Sequence, residues 1–472
     1  MSSLASGLVI RAQYLEEPML EFADGRTHVD PKAGIARFGP KSYSPPRRHP
    51  RTVRVGFIGT AESMAAAKEW MERTASGVAG DLIHPEFPGY MSDRGYFSQL
   101  EFSKDWQAQL TQSELTRLVG IRKSRVRFEE TLNILESKVL ILWRKEEPPQ
   151  YIVVSMPDDL YRECRVVNYR DRHLGDVHRD LRRAFKAAAM KFQIPTQFLR
   201  QQTIDGRDRD HPSKIAWNFY TGLYFKAGGS PWGPSGLTPG TCYLGISFYR
   251  SLGSADLKMH TSLVQAFDEY GNGLALRGPE FQWDEDEMGT SSPHLDAPKA
   301  GELLTFALDR YEAEMRRAPQ RVVLHKSSRF WNDERQGFTK VLGARVRQYD
   351  LMSLARQSRV RLLAASKYPP LRGTRFVVGD VYYLYTTGFL ADLGQSHTMH
   401  VPSPLQITDH IGQDTPREVL LREILALTKM NWNSARMFGS LPITLRFSNL
   451  VGEIMREIPA DRDPLPHFKF YM

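Results

Sequence analysis

A strand-like run, Val53-Arg-Val-Gly-Phe-Ile-Gly59, passes directly into Thr60 and a helical stretch over 61–74. Thr60 is a good N-cap, and Glu62 stands in the first turn, where the helix dipole favours a negative charge. The same succession returns further on: 129–137 reads as helix, 139–143 and 151–155 as strands, 177–192 as helix and 197–203 as a short strand. Parallel strands cannot be joined by tight turns and need a crossover, which interleaved helices supply. The alternation therefore predicts an α/β unit, a parallel sheet layered with helices.

A second unit follows the charged turn Gly206-Arg-Asp-Arg-Asp-His-Pro212. Residues 214–226 read as helix and run into Ala227-Gly-Gly-Ser-Pro-Trp232; strands are expected over 241–249, 273–276, 322–325, 360–364 and 382–386, and helices over 300–317 and 416–429. Strands in series followed by mixed elements suit a second, mixed sheet. Upstream, Lys41-Ser-Tyr-Ser-Pro-Pro-Arg-Arg-His-Pro50 has no periodicity and three prolines, and reads as a connector. The expected organisation is an N-terminal segment over 1–50, one domain over 51–210 and a larger one over 211–472.

The composition removes several classes. With 41% apolar and 25% charged residues, the 472-residue chain is an ordinary globular one. No run approaches 18 uncharged apolar residues, and the first residues lack the pattern of a secretory leader, so the expected compartment is the cytoplasm, with no membrane partner. Two cysteines, Cys164 and Cys242, exclude a disulfide framework and a Cys-rich zinc site. Cys164 lies near Arg162 and Arg165, but no histidine motif supports a nucleophile, and it reads as structural.

A net charge of +9 points to a polyanionic partner. The densest basic stretch runs from Arg165 to Lys191, where Arg179, Arg182, Arg183 and Lys186 recur at helical spacing on one side. Asn218, Gly222 and Lys226 form a second line, four apart. A solvated helix face accounts for either pattern taken alone. Gly228-Gly229 is no phosphate loop, as neither nucleotide-binding glycine fingerprint is present. Trp283-Asp-Glu-Asp-Glu-Met288 concentrates carboxylates whose directions diverge, and reads as an acidic loop rather than a metal site. His397 and His400 have no third ligand and no nucleophile elbow beside them.

Residues 213–250, SKIAWNFYTGLYFKAGGSPWGPSGLTPGTCYLGISFYR, closely resemble the start of the PIWI domain of prokaryotic Argonautes, where a helix ending in Lys-x-Gly-Gly-x-Pro-Trp precedes a strand of Gly-Ile-Asp type. Val322-Val-Leu-His-Lys-Ser-Ser-Arg-Phe-Trp331 resembles the second catalytic strand, and Gly394-Gln-Ser-His-Thr-Met-His400 with Thr428-Lys-Met-Asn-Trp-Asn433 resembles the closing segments. Leu15-Glu-Glu-Pro-Met-Leu-Glu-Phe-Ala-Asp24 and Phe38-Gly-Pro40 are similar to the start of short prokaryotic Argonautes. The resemblance implies a Rossmann-like MID domain followed by an RNase H-like PIWI domain.

It also gives the basic residues a role. Arg182, Lys186, Gln197 and Lys226 match the family's pocket for a guide 5′ phosphate, with Asn218 two turns before Lys226. The carboxylate of Met472 is expected to enter the same pocket and help hold a structural Mg²⁺; Gly222 replaces a residue that is often polar. The first two catalytic aspartates of the slicer site are replaced by Ser247 and Ser327, and His400 aligns with a fourth position left without partners. A hydroxyl cannot substitute for an anionic bridging ligand, so the PIWI domain is expected to be nuclease-inactive. The expectation is a guide-binding protein, using guide RNA to recognise target single-stranded DNA. Its partner is expected to be an APAZ-containing effector, sirtuin-like or TIR, that depletes NAD in defence against plasmids or phage and forms a higher oligomer on activation. The competing reading is a guided nuclease built on other carboxylates, such as Asp284, Glu285 or Asp309.

Overall fold

The computed structural model describes residues 10–172, 175–250, 252, 258–266, 273–283, 289, 292–356, 358–363, 370–390, 395–396, 401–412, 415–458, 462 and 464–472. Its first sheet has four strands, in the order Thr196–Phe198, Tyr151–Ser155, Thr52–Gly59 and Gln99–Gln109, all parallel. Tyr151–Ser155 is buried along its whole length, as expected of a strand covered on both faces. Thr60 caps helix Ala61–Ala75 through a capping box with Ser63. A side chain at Gly59 would stand 2.2 Å from the Ser155 carbonyl, so only glycine fits where the strand turns into that helix.

Three expectations for this unit are corrected. Residues 139–143 form no strand but the last turns of helix Ser124–Trp143. Phe128, Leu135, Val139 and Leu142 face inward at intervals of three to seven, and a short apolar run does not separate the two periods. The edge position goes instead to Gln99–Gln109, a polar and largely exposed strand with little apolar signal. The stretch 177–192 divides: Gly175–Asp180 pairs antiparallel with Val166–Asp171, and helix Leu181–Ala189 begins only after Asp180, whose carboxylate accepts from the Arg182 and Arg183 amides. Likewise 197–203 holds strand Thr196–Phe198 and then helix Gln201–Ile204.

The second sheet has nine strands. Three parallel ones, Thr241–Tyr249, Arg321–Lys326 and Gln348–Ala355, lie at its centre, and the other described pairings are antiparallel. Helices Ala297–Met315 and Asn332–Arg345 cover one face, meeting Leu244, Leu324 and Leu351; helix Ile443–Met455 crosses the other. A side chain at Gly245 would lie 2.3 Å from the Thr444 carbonyl, so glycine permits that close crossing. No strand occupies 360–363, where the sequence suggested one.

Two devices join the sheets. Helix Pro212–Lys226 runs between them, and its Trp217, Tyr220 and Tyr224 are fully buried among Phe87, Tyr90 and Tyr96. The N-terminal residues also reach the second unit: Gln13–Tyr14 pairs with Thr374–Val378 at the edge of the nine-stranded sheet, and Leu20–Glu21 pairs with Gly233–Pro234 in a separate three-stranded sheet. Glu17 is buried between two cations, 2.7 Å from Arg372 Nε and 2.9 Å from Lys429 Nζ. Burial pushes its carboxyl upward, but the two cations outweigh that and hold it below the usual range. No described helix is long and apolar enough to cross a membrane.

Removing one partner of a buried ion pair leaves an uncompensated charge, which costs about 3–5 kcal/mol. Glu17→Ala is therefore expected to lower unfolding stability by that amount, measured by chemical denaturation. A loss below ~1 kcal/mol would mean that this network does not anchor the segment.

Candidate functional site

At the carboxyl end of strand Thr196–Phe198, where ligands of open parallel sheets settle, lies a cavity of about 240 Å³. Arg182, Gln197, Asn218, Gly222 and Asn433 line it. Arg182 stands in the first turn of helix Leu181–Ala189, and Lys186 one turn later donates to the main-chain oxygen of Met472. Lys226, in the last turn of helix Pro212–Lys226 and only 1% exposed, donates to Gln197 Oε1 at 2.6 Å and to the Thr196 carbonyl at 3.3 Å. Asn218 Oδ1 accepts from the Ala435 amide at 3.0 Å and so fixes the wall that carries Asn433. At Gly222 an added Cβ would meet nothing closer than the Trp432 carbonyl at 3.9 Å, so the glycine leaves the cavity open. Four residues singled out in three separate stretches of sequence, Arg182, Gln197, Asn218 and Gly222, thus line one cavity, and Lys226 meets its wall through Gln197.

Its electrostatics are one-sided. No carboxylate side chain lines the cavity. Burial pulls the Lys186 ammonium down to about 7, with the Arg182 guanidinium adding to the effect. Lys226 is pulled well below its ordinary value, by burial first and then by Lys186 and Arg182. Desolvated cations that repel one another are costly unless an anion joins them. A phosphate dianion matches that need, since ammonium and guanidinium donors form strong charge-assisted hydrogen bonds to its oxygens.

The basic stretch divides by function. Arg179 lies in the hairpin rather than the helix and is paired with Glu129 and with Glu457 at 2.8 Å; Arg183 bonds Glu453 at 2.5 Å. These two fasten the first unit to the second, leaving Arg182 and Lys186 to the cavity. Asn433 was missed as a lining residue because its position depends on the tertiary contact between Asn218 and Ala435. Only the segment 428–433 as a whole carried a signal.

At the second sheet, Ile246 is registered against Lys326, the last residue of its strand; Ser247 follows Ile246 within its strand, and Ser327 is in the bend directly after Lys326, at the same carboxyl edge. Ser247 Oγ is buried and has no hydrogen-bond partner among the described residues. Asp309 lies on helix Ala297–Met315 and pairs with Arg345 at 2.6 Å, just before strand Gln348–Ala355 begins, at the opposite end of the sheet. Asp284, Glu285, His397 and His400 fall outside the described residues. Burial raises the thiols of both Cys164 and Cys242, in keeping with structural roles. Among the described residues one histidine and carboxylate cluster is present, Asp81, His84 and His211. Asp81 accepts from the Ile83 and His84 amides and faces both rings, and His211 Nδ1 accepts from the Ser213 amide at 3.2 Å, so the cluster latches a loop to a helix start.

By sequence, no family model and no curated protein matches the chain. Solved structures do. Clostridium butyricum Argonaute, bound to a guide DNA and a 19-mer target DNA, superposes with a TM-score of 0.62 at 17% identity over 97% of this chain. The fold is an Argonaute fold. A. aeolicus Argonaute (TM-score 0.61, 14% identity, 97% of this chain) and Drosophila Piwi (0.57, 13%, 98%) agree. The chain spans 54%, 55% and 56% of these three proteins, respectively. A Rossmann-like MID sheet followed by an RNase H-like PIWI sheet, expected from the sequence, is the architecture found. Within this Argonaute fold the cavity lies on the MID sheet, and the serine pair lies on the PIWI sheet.

The depressed lysines have a consequence for stability. Between pH 7 and the ordinary lysine range the unfolded chain binds a proton at Lys186 that the folded chain does not, so unfolding free energy rises with pH there, by up to about 1.4 kcal/mol per pH unit for one proton. Denaturation curves between pH 7 and 9 in the absence of nucleic acid are expected to show this rise, and Lys186→Met to flatten it. An equal slope in the variant would contradict the assignment.

Proposed function

We propose that this chain is a guide-binding Argonaute of the short prokaryotic type, which anchors a guide 5′ phosphate on Arg182, Lys186, Gln197 and Lys226 and uses the guide, RNA in this reading, to recognise complementary single-stranded DNA. The observation that carries the proposal is the pair of desolvated lysines, Lys186 and Lys226, the latter bonded to Gln197, beside a cavity whose wall holds Arg182 and Gln197 and no carboxylate side chain. A guide phosphate balances these cations, and its arrival returns protons to the lysines. The amides of Asn218 and Asn433, on the cavity wall, suit the orientation of the first nucleotide, whose base leaves the stack in order to be read. A Mg²⁺ ion fits here only alongside the phosphate. Two main-chain oxygens face the cluster, those of Met472 and Thr196, and they already accept from Lys186 and Lys226, so the ion's oxygen ligands would come largely from the guide.

In this reading the PIWI sheet binds and does not cut. Two hydroxyls, Ser247 and Ser327, stand where the resemblance places aspartates, and serines do not hold a pair of divalent ions about 4 Å apart. The activity would then belong to a partner, an APAZ-containing subunit joined to a sirtuin-like or TIR enzyme that consumes NAD. Target pairing drives that partner only if the target-bound form contacts it differently from the target-free form.

Purification from the native host, with sequencing of the nucleic acid that accompanies the protein, is expected to yield short 5′-phosphorylated RNA together with the effector subunit. Loaded protein with complementary DNA and Mg²⁺ or Mn²⁺ is expected to leave the DNA intact while NAD falls in the presence of the partner. Cleavage at one guide-defined phosphodiester, or NAD loss indifferent to complementarity, would overturn the reading.

A further inference from the structure

A second cavity, of about 600 Å³, borders the phosphate site and shares Thr203 and Ile215 with it. Trp70, Val78, Ile204 and Ile215 supply its apolar lining, and Asp205, Asp208 and Asp210 also line it. Each of these aspartates already has a cation: Asp205 pairs with Arg207 at 2.6 Å, Asp208 with Arg200 at 3.2 Å and Asp210 with Lys214 at 2.5 Å. Arg73 is the one cation in the lining, and it is exposed to solvent. With its carboxylates matched, the cavity demands no counter-charge. Its apolar lining suits an uncharged, apolar insert.

Such an insert stands beside it. The loop that gives Val78 and Ala79 to the cavity turns back on itself at Asp81-Leu-Ile-His84. Leu82 at this tip is fully exposed and Ile83 is 77% exposed. The turn is firmly held. Val78 and Phe87 exchange two main-chain hydrogen bonds of 2.9 Å, and the Asp81 amide donates to the His84 carbonyl at 2.9 Å. The His84 and His211 rings stack at 4.6 Å with their planes 3° apart. Single exposed aliphatic residues need no explanation, but two together on a turn this rigid form an apolar knob that the fold itself does not use. His211 directly precedes the lining residue Pro212, so the latched tip stands at the mouth of the cavity. Its two side chains point into solvent and do not enter their own cavity.

We infer that Leu82 and Ile83 of one copy of this chain insert into the Trp70–Ile215 cavity of a second copy, and the reverse, across a two-fold axis. A knob and a cavity side by side on one face are self-complementary under such an axis, because each copy then offers what the other takes. Charge favours the same occupant. Copies of a chain carrying +9 repel one another in general, and a face on which carboxylates and cations alternate is where they approach at least cost. Two aliphatic side chains per copy bury less than the about 800 Å² per partner of a stable complex, so the dimer is weak and concentration-dependent. The contact involves no nucleic acid and no other subunit.

The test is sedimentation velocity of the full chain, free of nucleic acid, over a concentration series. It compares the wild type with a knob variant, Leu82→Ser with Ile83→Ser, and a cavity variant, Ala79→Arg, whose longer side chain blocks the mouth. The wild type is expected to pass from monomer to dimer as concentration rises, and each variant to weaken dimerisation about tenfold or more. The knob variant is expected to melt at the wild-type temperature, since the replaced side chains face solvent, and this separates loss of contact from loss of fold. An equal mixture of the two variants is the decisive sample. The cavity variant keeps its knob and the knob variant keeps its cavity, so one of the two contacts is restored and the mixture is expected to dimerise more than either variant alone. A wild type that stays monomeric at every concentration overturns the inference and assigns the knob to a different protein. Variants that dimerise like the wild type, or a mixture no better than its components, overturn it as well.

Discussion

Two desolvated ammonium groups, Lys186 and Lys226, stand next to each other beside a cavity with no carboxylate side chain in its wall. Lys186 and Lys226 arrive from two helices, one following the MID hairpin and the other leading into the PIWI sheet. Desolvation of the two charges is unfavourable by itself and would be offset by an anion beside them. The site is thus part of the connection between the two sheets rather than an addition to either.

That connection is held by ordinary forces. The aromatic cluster around Tyr220 and Trp217 fixes helix Pro212–Lys226 against the MID sheet, and Trp232 donates to the Lys429 carbonyl at 3.1 Å on the other side. Lys429 in turn faces Glu17, so the N-terminal strand, the PIWI sheet and the connecting helix share one buried network. Arg179 and Arg183 add ion pairs across the same joint.

Much of this was legible in the sequence. Thr241–Tyr249 falls where its apolar, β-branched run predicted it, and the stretch 213–232 carried both the connecting helix and Lys226. The line Asn218, Gly222 and Lys226 was visible as helical spacing; the structure places the first two in the cavity wall and bonds Lys226 to Gln197, which also lines it. What was not legible depended on distant partners. Arg179 and Arg182 look alike in sequence, and only Glu457, far along the chain, makes one structural. The polar edge strand Gln99–Gln109 has no periodic signal because one side of it faces solvent. Helix Ser124–Trp143 absorbed a run that reads equally as strand, since its apolar residues are contiguous at 139–142.

The central claim, that the cation pair is a receptor for a terminal phosphate, is tested most directly by titrating one oligonucleotide in two forms, 5′-phosphate and 5′-hydroxyl, against the full chain and against Lys186→Ala and Lys226→Ala. Loss of one charge-assisted contact costs on the order of 1.5–3 kcal/mol, or about one to two decades in affinity. The account predicts that the protein prefers the phosphorylated form and that each substitution weakens that form by this amount while leaving the hydroxyl form nearly unchanged. Equal affinity of the protein for both forms, or equal losses for both in the variants, would contradict it.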